Sequence, residues 1–164
     1  MPSGHVIETL AGVDPLSPLA TALAERAEIL ALSQGAHDAV LAPREPGGLS
    51  HGERAALAHR MALLGADMAL AGHYARLLAG AGGSAALDAM ADPARLPTEA
   101  RQQALARHTD LVTREPRAAT RHSIRALRDA GIAEPDIVRL SELVAFVNYQ
   151  LRVIAGLRLM AGAA

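Results

Sequence analysis

Residues 50–79, SHGERAALAHRMALLGADMALAGHYARLLA, decide the fold. Ser50 and Glu53 have the S-x-x-E spacing of a capping box, in which hydroxyl and carboxylate take up N–H groups that a helix start leaves unpaired. That predicts a helix from 50 to about 64, ended by Gly65. A second helix runs from about 67 to 79 after a very short connection, so the two pack as an antiparallel hairpin. In both, apolar residues recur at spacings of three and four, the period of a helix face.

The same period extends outward in both directions, and strand-type alternation is nearly absent, which makes the chain all-α. Upstream, Ser17 followed by Pro18 is an N-cap with proline in the first helical position, opening a helix to about residue 34 that meets Gly35; a shorter piece covers about 36–41. Pro43, Pro46, Gly47 and Gly48 make 43–48 a loop. Downstream, the glycines of 80–83 follow a helix rather than a strand and lack a Gly-Lys, so they form a linker and no phosphate-binding loop. A short helix near 84–91 follows. Thr98 and Thr120 are expected N-caps for helices of about 98–114 and 120–130, the second ending at Gly131. Pro135 opens the longest helix, where Ile137, Val138, Leu140, Val144, Val147, Leu151, Ile154 and Leu157 form a broad apolar stripe.

With 164 residues and 51% hydrophobic content, the sequence suits a single domain, 1–164, with 1–48 as an N-terminal helical extension within it. All sixteen basic residues are arginine and the formal net charge is −1. No broad basic field is available for a phosphate backbone, and Tyr74, Phe146 and Tyr149 are too few for base stacking, so nucleic acid is not an expected partner. Residues 1–12 lack a basic region followed by an apolar one, and no run of about 18 uncharged apolar residues occurs. The expectation is a soluble, cytoplasmic protein without a membrane span. The chain has no cysteine, which excludes disulfides, thiolate nucleophiles and cysteine-ligated metal.

The hairpin resembles the central hairpin of the carboxymuconolactone decarboxylase superfamily, which includes alkyl hydroperoxidase D. Peroxidase members carry a Glu-bearing helix followed by CxxCxxxH. Here the matching residues are Leu49-Ser50-His51-Gly52-Glu53-Arg54 and then the stretch from Gly65 to His73. Setting His73 on the motif histidine puts Ala66 and Ala69 at the two cysteine positions. A second similarity covers about 107–160, including His108-Thr109-Asp110-Leu111, Asp129-Ala130-Gly131-Ile132 and the run from Val144 to Leu157. The two regions span about half the chain and resemble cysteine-less members. The resemblance implies an AhpD-like helical bundle that forms a homo-oligomer and partners an alkylhydroperoxidase-domain protein. No cofactor is expected. Peroxide reduction needs a thiolate to attack the O–O bond and a second thiol to resolve the sulfenic acid, and methyl groups do neither.

Without thiols, four residues remain as catalytic candidates: Glu53, His73, Arg60 and Tyr74. Glu53 shares the apolar face of its helix with Leu57, Met61 and Leu64, where burial would raise its pKa unless Arg60 or the cap compensates. His73 follows Leu70 by three and precedes Leu77 by four, beside the buried stripe. Facing helices would bring the two together for proton transfer. The competing readings are a purely capping Glu53 and a half-buried, hydrogen-bonded His73. The decarboxylase branch also lacks the cysteine pair and has a histidine eight residues after the glycine that Gly65 matches, which keeps open an acid–base enzyme acting on a small carboxylated substrate. His51, His59 and His73 never form HxxxH or HExxH, so no metal is expected. Arg121, Arg125 and Arg128 share a helix face as an anion grip or a solvated stripe. Asn148, Gln150 and Arg152 interrupt the last helix as subunit-contact or pocket-wall polar groups.

Overall fold

The computed structural model of the chain describes residues 5–162; residues 1–4 and 163–164, and with them the ends of the expected 1–164 domain and part of the N-terminal segment, lie outside it. Among the described residues there are nine α-helices, a 3-10 turn at Pro116–Ala118 and no strand. The helices are α1 Val6–Ala11, α2 Pro18–Ala24, α3 Ala27–Leu41, α4 His51–Leu64, α5 Met68–Gly80, α6 Ala85–Ala91, α7 Ala100–Arg114, α8 Arg121–Asp129 and α9 Glu134–Gly162.

α4 and α5 form the expected hairpin and pack closely on each other. The capping box is present: Ser50 Oγ accepts from Glu53 N, and Glu53 Oε2 accepts from Ser50 N at 2.9 Å. The helix stops where the sequence suggests, with Gly65 as its C-cap. Gly65 keeps an ordinary φ of −81°, and Ala66 takes the left-handed conformation at φ 54°. A Cβ on Gly65 would lie 2.9 Å from a Leu151 methyl of α9, so that side chain would have to shift to admit one.

α9 is the central element, packing against α1, α3, α4, α7 and α8. By length and composition it is apolar enough to cross a membrane. Here Ile137, Leu140, Leu143, Val144, Val147, Ile154 and Leu157 are buried in one hydrophobic cluster that runs from Ile7 to Leu157. Val138, placed on the stripe by its spacing, is exposed, while Phe146 and Gln150 are buried.

Two boundaries depart from expectation. The helix expected over 17–34 is broken at Glu25 and Arg26, where Arg26 leaves helical geometry. Beyond the break α3 continues through Gly35 to Leu41, absorbing the separate piece expected at 36–41. An interior glycine costs a helix only about 1 kcal/mol, and the continuous face of Leu30, Ser33, His37 and Leu41 is buried. The cap of α7 is Glu99 rather than Thr98, because its two carboxylate oxygens accept from Arg101 N and Gln102 N. The 43–48 loop is pinned from inside: Arg54, 2% exposed, donates to the carbonyls of Val40, Pro46 and Leu49.

Candidate functional site

Four buried polar arrangements hold the residues singled out by sequence. Glu53 lies in the first turn of α4, and both of its oxygens are engaged. Oε2 accepts from Ser50 N and Ser50 Oγ, and Oε1 accepts from Arg101 Nη1 of α7. Arg101 also donates to the Gly48 carbonyl. The countercharge of this buried carboxylate is therefore Arg101, not Arg60.

Arg60, two turns further along α4, is 1% exposed. Its Nε and Nη2 donate to the two oxygens of Asp110 on α7, at 2.6 and 2.7 Å. Nη1 donates to the carbonyls of Met90, Asp92 and Arg95. The planar guanidinium matches a carboxylate on one side and closes the C-terminal end of α6 on the other.

His73 of α5 meets another histidine. Its Nε2 lies 2.9 Å from Nε2 of His37 on α3, and His37 Nδ1 lies 2.9 Å from Asp38 Oδ1. The carboxylate fixes the hydrogen on His37 Nδ1, so in the neutral pair His37 Nε2 accepts and His73 Nε2 donates, leaving His73 Nδ1 as the free base. This tautomer follows from the hydrogen-bond network. Two imidazolium rings in this geometry would point N–H at N–H. Burial, with His37 and Arg76 close by, pushes His73 down to about 4.

Tyr74 follows on the buried side of α5. Its hydroxyl donates to Gln150 Oε1 of α9, and burial pushes the phenol well above its usual range. Phe146 stands edge-on to His37, and Tyr149, which exchanges a hydrogen bond with Ser33 at 2.8 Å, packs on Phe146. All three aromatic side chains of the protein thus gather with His37 and His73 where α3, α5 and α9 meet.

The hairpin register separates Glu53 from His73. Gly52 faces Ala81, since a Cβ on it would lie 3.9 Å from the Ala81 Cβ. His73 comes eight residues before Ala81, roughly 12 Å back along the axis at 1.5 Å per residue. Glu53 with Arg101, Arg60 with Asp110, and His73 with His37 are three separate networks sharing no partner. His37 and Arg101 were missed in the sequence. His37 had a usable signal, four residues after Ser33 on the face of α3 that carries Leu30 and Leu41.

Ala66 and Ala69, at the positions matched to thiols, are both exposed at the turn into α5. Asp67 between them caps α5 through Leu70 N and takes Arg158 Nη1 at 2.8 Å. Burial works to raise the Asp67 pKa, but the hydrogen bonds from Arg158 and Leu70 N outweigh it and hold the carboxyl below its ordinary value. A surface hollow of about 380 Å³ opens beside Ala66, lined by Arg114, Asn148, Arg152 and Arg158.

The other candidates have local roles. His51 Nε2 bonds the Pro43 carbonyl at 2.8 Å. His59 is kept neutral by burial, and its Nδ1 has no hydrogen-bond partner. Asn148 donates to the Val144 carbonyl, and Arg152 donates back to Asn148. Gln150 alone of that trio is fully in the core. Arg121, Arg125 and Arg128 line a shallow surface hollow, and Arg128 pairs with Glu134. Among the described residues no group of three or more His, Asp or Glu side chains is placed to hold a metal ion. No protein-family model matches the chain, and no curated protein matches it.

Proposed function

We propose that this chain is a cysteine-less protein of the carboxymuconolactone decarboxylase and alkyl hydroperoxidase D type, inactive as a thiol peroxidase, that works as a self-assembling scaffold or as the partner of a thiol-bearing relative in the cytoplasm. One observation carries the reading. The two charged residues singled out as catalytic candidates, Glu53 and Arg60, are both consumed in internal ion pairs that tie α4 to α7. A group with its hydrogen-bonding capacity already filled by partners within the fold is built for cohesion and is not poised for proton transfer. Ala66 and Ala69 bring no nucleophile to the turn.

The self-assembly half draws support from large apolar side chains left in solvent. Ile29 and Leu32 on α3, Leu77 one turn after His73, and Tyr149 on α9 are all exposed. Large apolar groups left in solvent are the surface that association would cover. Sedimentation equilibrium of the purified chain is expected to give a homo-oligomer, and a peroxide assay with a dithiol reductant is expected to show no consumption. A strictly monomeric protein, or one that turns over peroxide, refutes the proposal.

The Asp38–His37–His73 chain favours a second reading, an acid–base enzyme acting on a small carboxylated substrate. In it His73 Nδ1 is the base, His37 is the proton partner that Glu53 was expected to be, and Tyr74 packs beside the pair. Loss of turnover in His37→Gln as well as His73→Gln, with unchanged melting, distinguishes this relay from a structural pair. Arg60 and Glu53 have no place in that mechanism.

A further inference from the structure

Away from the hairpin networks, α7 and α8 flank an open cavity of about 300 Å³. On α7 the residues Ala104, Arg107, His108 and Leu111 fall at i, i+3, i+4 and i+7, the spacing of one helix face. Leu127 and Ala126 close the cavity from α8, making it mainly apolar. His108 in its wall is 8% exposed, and its Nδ1 has no hydrogen-bond partner. Burial alone lowers the His108 pKa, so the ring is neutral at pH 7. Such a buried polar atom without a partner costs about 1–3 kcal/mol. Arg107 is exposed at the rim and, among the described residues, makes no ion pair or hydrogen bond. The remaining lining side chains are neutral.

We propose that the α7–α8 cavity binds a small monocarboxylate with an apolar body, its carboxylate on Arg107 and its body on Ala104, Leu111 and Leu127 beside His108. A single guanidinium over an apolar floor matches one negative charge joined to a hydrophobic group. Phosphate, which has no apolar part and draws on several donors, is a poorer fit. The volume, at the lower end for ligand pockets, favours a molecule smaller than a typical drug.

Benzoate is the probe, titrated into the full chain and followed by amide chemical shifts. Saturable shifts confined to α7 and α8 are expected, with benzamide binding more weakly. Arg107→Gln should weaken benzoate about ten- to a hundredfold, the loss of one charge-assisted hydrogen-bonding partner. Ala126→Phe, a change at an exposed helix position, should fill the cavity and abolish binding without lowering the melting temperature. The proposal is overturned by absence of benzoate binding at millimolar concentration, including the case in which a second copy of the chain covers the cavity. It is equally overturned by equal affinity for benzamide, by tighter binding of inorganic phosphate, or by binding that survives Ala126→Phe.

Discussion

Replacing Arg60 with alanine tests whether the hairpin's charges hold the fold together or serve chemistry. The guanidinium is 1% exposed and spends Nε and Nη2 on Asp110 and Nη1 on the Met90, Asp92 and Arg95 carbonyls. Truncation leaves Asp110 without its countercharge and strips the end of α6 and its following loop of a shared donor. Removing one partner of a buried pair costs about 3–5 kcal/mol. The Asp110 side chain is 23% exposed, so water relieves part of its loss and the lower half of that range is expected. For a chain of this size each kcal/mol moves Tm by about 2–4 °C, which gives a fall of roughly 6–16 °C for about 3–4 kcal/mol. Urea unfolding of wild type, Arg60→Ala, Asp110→Ala and the double variant isolates the pairwise term, and the double is expected to lose less than the sum of the singles. Hydrogen exchange should show early loss of protection at Arg95 N, which bonds the Asp92 carbonyl. A loss below about 1 kcal/mol, the size of a surface pair, would refute the staple and return Arg60 to the list of groups free to act on a ligand.

Tyr74→Phe should destabilise by about 1–3 kcal/mol, because it orphans Gln150 Oε1 in a core where Gln150 Nε2 already lacks a partner; Tyr74→Phe combined with Gln150→Leu should regain most of that loss in urea melts, and a double variant as weak as the single would show that the pair is not coupled. His73, held at about 4 in the fold against an ordinary 6.5, takes up its proton more readily when unfolded. Its contribution is fully present above pH 6.5 and is lost as pH falls from there toward 4. The urea midpoint should therefore drop across that window, and His73→Gln should make the drop shallower, with His59 and His108, also lowered by burial, supplying the rest. A slope of opposite sign, or one unchanged in the variant, contradicts the assignment. Glu53→Gln keeps the cap's acceptor but discharges the pair with Arg101, whose side chain is 27% exposed. We expect a loss of about 1–2 kcal/mol, falling as salt is raised, and a salt-independent loss would mean that the charge is not what matters.

The all-helical architecture was legible because its signals are local. Ser50 with Glu53, Ser17 before Pro18 and Gly131 after α8 each act within one turn, and the structure uses all three. Boundaries failed where a tertiary contact overruled the local cue. Gly35 is carried inside α3 because Ser33 and His37 on either side of it belong to a buried face. At Gly65 the local cue held, since α4 stops there, although the left-handed residue of the turn is Ala66.

Partners were less legible than positions, and the reason is physical. A helical wheel places Glu53, Arg60 and His73 toward the interior, and all three are buried or half-buried. It cannot tell which distant side chain satisfies each one, since Arg101, Asp110 and His37 lie 48, 50 and 36 residues away along the chain. Every buried charge needs a partner, but the requirement is met by whichever oppositely charged group the packing delivers. The nearby arrangement that sequence suggests, Glu53 answered by Arg60 on its own helix, would have joined α4 only to itself. Distributing the same charges over α7 and the end of α6 makes each pair bridge separate helices. A group used in this way is fixed by the fold, which is why the remaining chemistry is to be sought at His73 Nδ1 and in the cavity beside His108, where hydrogen-bonding capacity is still unfilled.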